Sequence, residues 1–204
     1  MPSDLQVDNI KDGSATKTLA TLSSSAVTLH NDVTFPAGHI VQVKFVGFVG
    51  NQVIGDGSST GTTFVNVGLG VSGEEFSIAM SVSSGNKIVG FGNVNVSGSI
   101  AYSALKVFMD STQIALGTGS GSRSTVTVSS MTNNDIVNFD HTMSNSSFSF
   151  NYTPSDTSSH TYSIKAGNTN AGNAYTLINQ PPTDTDANYT HRGYSHYILM
   201  EVAQ

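Results

Sequence analysis

Apolar and polar residues alternate with a period of two over most of the chain after Ile40, as in strands with one buried face. Val41, Val43, Phe45 and Val49 share one parity, with Gln42 and Lys44 on the other. Phe76, Ile78, Met80 and Val82 repeat the pattern, and Phe148, Phe150 and Tyr152 alternate strictly with Ser147, Ser149 and Asn151. Denser apolar runs, Lys87 to Val96 and Ile100 to Met109, predict central strands. Further strands are predicted at Thr63 to Val71, Ile114 to Leu116, Thr125 to Val128, Ile136 to Phe139, Tyr162 to Ala166 and Ala174 to Ile178. Turn residues separate them: Ser84-Gly85-Asn86, Asp110-Ser111-Thr112, and the run Gly117, Gly119, Gly121. About ten strands at a spacing of roughly 8–14 residues, with no comparable helical period, predict an all-β antiparallel β-sandwich of jelly-roll type.

The two ends depart from this grammar. Residues 1–38 read as a short N-terminal arm: Leu5, Val7 and Ile10 alternate like a brief strand, and Lys11 to Ser14 supplies a turn. Leu19, Leu22, Val27, Leu29, Val33 and Phe35 are then too thinly spaced to build a core of their own. Such an arm wraps on its own domain or is completed by copies or a partner. Phe35-Pro36-Ala37-Gly38 closes it, and residues 39–204 form the sandwich. At the other end, Tyr197, Ile198, Leu199, Met200 and Val202 are too apolar for a frayed terminus. They predict a closing strand apolar on both faces. Ile198, Met200 and Val202 are expected in the core, and Tyr197 and Leu199 against a second sheet surface or a neighbouring subunit.

Charged residues make up only 11% of the chain and the formal net charge is −6. Eight Lys and Arg scattered over 204 residues form no phosphate-binding stripe, so no nucleic acid is expected as a partner. The same sparsity disfavours an anionic membrane surface, and no run of about 18 apolar residues predicts membrane insertion. Without cysteine there is no disulfide, no thiolate zinc site and no thiol chemistry. The start, Met1-Pro2-Ser3-Asp4, has neither a basic segment nor an apolar one, so export by a signal peptide is not expected. A Ser-, Thr-, Gly- and Asn-rich outer composition without export fits a virion protein, assembled in the host cytoplasm and exposed after lysis.

Several blocks taken together carry a resemblance. Thr63-Phe64-Val65-Asn66-Val67-Gly68-Leu69 precedes Asn86-Lys87-Ile88-Val89-Gly90-Phe91. Leu105 to Ala115 and Gly119-Ser120-Gly121-Ser122-Arg123 follow, then Arg192-Gly193-Tyr194-Ser195 before the closing strand. This order resembles a β-sandwich domain of tail-fibre-like and other structural proteins of marine bacteriophages, especially cyanophages. Leu5 to Ser14 and Thr34 to His39 resemble the virion-proximal start of the same proteins. The resemblance implies a non-enzymatic, homotrimeric virion component on the virion surface, attached to other capsid or tail proteins through its N-terminal part. The attachment residues would then include Leu5, Val7, Ile10, Leu19 and Leu22. The chain has no shaft of repeats, so a short fibre and a capsid decoration protein both remain open.

Candidate chemistry is sparse. Gly68-Leu69-Gly70-Val71-Ser72-Gly73 matches a dinucleotide fingerprint in letters, but Glu74 and Glu75 would oppose a phosphate and a strand pattern follows instead of a helix. His191 and His196, with Asp184 and Asp186, could form a small metal site on an oligomer axis; solvated loop groups explain them with less, and no metal or cofactor is expected. Asp156 and His160 lack a nucleophile elbow, and no carboxylate pair is placed across one cleft. The most distinctive surface is the late loop, where Tyr175, Tyr189, His191, Arg192 and Tyr194 could meet a host glycan. The competing readings are that the tyrosines pack back on the domain and that Arg192 tethers the loop to Asp184 or Asp186. A free carbohydrate-binding module or adhesin is the alternative function.

Overall fold

The computed structural model describes residues 9–11, 18–22, 27–29, 36–55, 64–68, 75–98, 103–130, 141–169 and 175–204. Every regular element among them is a strand, as the alternation requires. Near the start of the chain, β1 (Asn9–Lys11), β2 (Thr18–Leu22) and β3 (Val27–Leu29) form an antiparallel three-stranded sheet that, among the described residues, pairs with neither of two larger sheets. Ile10 and Ala20 are register partners, as are Leu22 and Val27. Leu5, Val7 and the strand expected at Ile136 to Phe139 lie outside the described residues.

Among the described residues, twelve strands make the sandwich. In order they are β4 (Ile40–Phe48), β5 (Gln52–Ile54), β6 (Phe64–Asn66), β7 (Ser77–Ser81), β8 (Lys87–Gly98), β9 (Ser103–Met109) and β10 (Thr112–Ile114). Then come β11 (Val128–Ser130), β12 (Ser144–Tyr152), β13 (Ser159–Asn168), β14 (Thr176–Ile178) and β15 (Ser195–Val202). The first layer runs β4–β15–β8–β12, with β5 and β14 continuing the β4 and β15 lines. In the second, β10 and β11 follow one another along one edge of β9, whose other edge pairs β13, which pairs β6 and β7. Each pair is antiparallel. The pairing is nested: β4 with β15, β6 and β7 with β13, β8 with β12, and β9 with β10 and β11. One long hairpin folded over on itself gives that order, and the pairs β15–β8 and β9–β13 join the folded parts.

The core lies between the layers. Phe48, Ile88, Tyr197 and Leu199 of the first layer meet Met80, Leu105, Val107, Tyr162 and Ile164 of the second, with Phe76 packed among them. The Tyr197 ring stands 5.6 Å from that of Phe76 and 6.1 Å from that of Phe148, and its hydroxyl donates to the Tyr162 carbonyl at 3.3 Å. Burial pushes the Tyr162 phenol up to about 12. Gly90 is required for this packing, because a Cβ there would overlap the Phe150 ring.

Two orientations differ from the sequence reading. In β15, Ser195, Tyr197, Leu199 and Glu201 point into the core, while Ile198, Met200 and Val202 are half-buried on the outer face. The reason is Glu201: its carboxylate sits at the end of the core, where donors from β4 and the β7–β8 turn meet it. In β4 the apolar parity, Val43 and Phe45, also points outward, and Gln42 and Lys44 turn inward to reach β7. Lys44 Nζ donates to Ala79 O at 2.6 Å, and Gln42 Nε2 to Ser81 O at 2.7 Å. These two bonds close the corner between the layers with long polar side chains.

Candidate functional site

The register of β4, β15 and β8 places apolar residues side by side on the outer face of the first layer. One cross-strand row is Phe45–Ile198–Phe91 and the next is Val43–Met200–Val89. Phe45 is 57% exposed, Val43 55% and Phe91 39%. Ile40, Val49 and Val53 extend the exposed strip along the β4 and β5 line. Toward the closing end of β4, Gly47 leaves room for the Tyr194 ring, since a Cβ at that position would overlap its hydroxyl. His196 then lies between two rings, 6.0 Å from Tyr194 and 6.2 Å from Phe45, both nearly parallel to it. The far side of the face, on β12, is polar: Ser147, Ser149 and Asn151 are exposed. Large apolar groups in water at this density are the informative exception on a protein surface.

The late loop leaves the sheet at Asn179 and returns at Ser195. Asn179 is fully buried with φ 57°, a left-handed conformation that Asn tolerates. Its side-chain amide donates to Phe48 O at 2.8 Å and Gly50 O at 3.0 Å, and its Oδ1 accepts from Ser195 Oγ at 2.7 Å. Its backbone N–H donates to Asn95 O, and its carbonyl accepts from Gly193 N–H, both at 3.0 Å. Both ends of the loop are thereby pinned to β4 and β8.

Within the loop, Arg192 pairs with Asp184 and also reaches Gln180 Oε1 at 3.4 Å, so it is the tether anticipated for it. Thr190 donates from its hydroxyl to the carbonyl region of Thr185 and Ala187. These bonds shape a concavity of about 350 Å³ lined by Asp184, Thr185, Asp186, Thr190, His191 and Arg192. Tyr189 is 57% exposed and packs edge-on against His141 at 4.8 Å, away from that lining. Tyr194 is 47% exposed and belongs to the apolar face, not to the loop concavity. Tyr175 is half-buried beside β14. The five residues singled out on the late loop therefore divide among four places. Of the expected attachment residues, Ile10 lies on β1 and Leu19 and Leu22 on β2.

A separate ionic cluster joins the β9–β10 turn to the start of β13 and the loop before it. His160 Nδ1 lies 2.7 Å from Asp110 Oδ2 and its Nε2 3.1 Å from Asp156 Oδ1. Both ring nitrogens thus face carboxylates, leaving none to activate a hydroxyl in the manner of a catalytic triad. The hydrogen bond to Asp110, helped by Asp156, holds the imidazole above its ordinary value despite partial desolvation. The backbone N–H of Thr161 and then His160 hold Asp110 below the ordinary carboxylate range. The stabilisation from a raised histidine is fully present below the unfolded value of about 6.5 and is lost as pH rises through the folded value. An NMR titration should place His160 above that reference, and Asp110→Asn should bring it back down.

Among the described residues no three His, Asp or Glu side chains are grouped to hold a metal ion. The glycine sequence after β6 turns at Val67 and Gly68, and the next described element is the strand β7. Comparison of the chain with protein-family models gives no match, and comparison with curated proteins gives none.

Proposed function

We propose that the chain is a non-enzymatic structural protein of a bacteriophage virion, a homotrimeric short fibre or capsid decoration protein. Residues 1–38 attach it to capsid or tail proteins, and the sandwich stands outward to stabilise the particle or meet the host surface. The observation that carries this reading is the nested strand pairing. Nested pairing with the first strand of the sandwich beside the last supports reading this two-sheet sandwich as a jelly roll, an architecture that viral capsid and lectin domains share. Architecture alone does not assign a role. The sequence blocks that resemble marine phage structural proteins supply the second support, and the uncovered apolar face supplies the third. The test is location: antibody against the folded sandwich should label purified virions, and cryo-EM should place the density on capsid or tail. Virions free of the protein would overturn the reading.

The loop concavity favours a second reading, a free carbohydrate-binding module. Asp184 and Asp186 can accept from sugar hydroxyls and His191 and Arg192 can donate to them, in a site whose walls the loop's own hydrogen bonds fix. Binding on a glycan array, lost on Asp186→Ala and absent from virions, would select it over the first.

A further inference from the structure

We infer that the outer face of β4, β15 and β8 is the contact between copies of this chain. This rests on the homo-oligomeric part of the reading above and adds which surface makes the oligomer. Six apolar residues on the face, Ile40, Val43, Phe45, Val49, Val53 and Phe91, are each at least 39% exposed. Side chains of this size at about half exposure leave on the order of 600 Å² open, at the upper end for a monomer and approaching the ~800 Å² a partner contributes to a standard interface.

The chemistry of the face selects among occupants. Its two central rows, Phe45–Ile198–Phe91 and Val43–Met200–Val89, contain no hydrogen-bonding side chain for a sugar hydroxyl. An anionic bilayer needs a basic rim; Lys87, opposite Val202, is the charge the register brings to this face, on a chain of net charge −6. Copies that repel through that net charge can approach through an uncharged surface. The face also borders β4, a nine-residue strand at the edge of its layer. A long edge strand with an apolar face must be covered to avoid open-ended association. A closed ring of three copies meeting on this face covers both at once.

Sedimentation of the full chain at micromolar concentration tests this. Wild type should sediment as a trimer. Phe45→Asp and, independently, Val43→Asp should be folded monomers, each weakening association by about a hundredfold or more, because the charge would be buried without a partner. Leu116→Asp, an exposed residue outside these strands, should stay trimeric. Trimers persisting in both folded Asp variants would overturn the face and leave the oligomer standing. A monomeric wild type would overturn both, and binding to a polysaccharide array lost in Phe45→Asp would then make the face a glycan platform.

Discussion

Glu201→Ala is expected to destabilise the fold by about 4 kcal/mol, since it removes three hydrogen bonds to a buried carboxylate. The side chain is 1% exposed. Its Oε2 accepts from Gln42 Nε2 at 2.6 Å, and its Oε1 from Ser83 N–H at 2.8 Å and Asn86 Nδ2 at 2.7 Å. One carboxylate therefore ties the last strand to the edge strand β4 and to the turn between β7 and β8. Burial by itself would raise its pKa; the bonds from Gln42, Asn86 and Ser83 outweigh burial and hold it below the ordinary carboxylate value. With the folded value depressed, the stabilisation is complete above the unfolded value of about 4.3 and is lost as pH falls through the folded one. Urea titrations at neutral and acid pH should show wild type converging on Glu201→Ala as the pH falls. Glu201→Gln, which keeps the shape and one acceptor oxygen, should lose less.

Asn179→Ala should cost about 3–4 kcal/mol, by removing three side-chain hydrogen bonds at a fully buried position and placing Ala in a left-handed conformation. Asn179→Gly separates the two causes. It restores the backbone freedom but not the bonds, so it should recover only about 1 kcal/mol of the loss. The loop between β14 and β15 should also lose order, which hydrogen exchange at Ala187 and Thr190 N–H would register as faster exchange. Unchanged stability would mean that Phe48, Gly50 and Ser195 are not held through this amide.

The fold class was legible because period-two alternation needs no tertiary knowledge: the strict pattern from Ser147 to Tyr152 became β12. The direction of each face was not. In β15 the parity of Tyr197, Leu199 and Glu201 looks the more polar of the two, and alternation alone sends Ile198, Met200 and Val202 inward. Only the partners of Glu201, separated from it by more than a hundred residues, reverse that assignment. The same limit hid the apolar face of β4. Val43 and Phe45 read as core until Gln42 and Lys44 are seen bonding to β7. Arg192 was legible as a tether because its partner Asp184 is only eight residues away. Tyr189 and Tyr194 were grouped by nearness in sequence, whereas Gly47 accommodates Tyr194 on a different surface.

The closing strand thus has two roles. Its inner side completes the core through Tyr197, Leu199 and Glu201, and its outer side forms the centre of the proposed subunit contact through Ile198 and Met200. A cryo-EM map of the assembled full-length protein tests the pairing of those roles most directly. The predicted map has copies meeting at the β4–β15–β8 face, with Phe45, Ile198 and Phe91 enclosed and the Asp184 to Arg192 loop on the outside. A map in which Phe45 and Phe91 face solvent while copies meet elsewhere, or in which no copies meet, would contradict it.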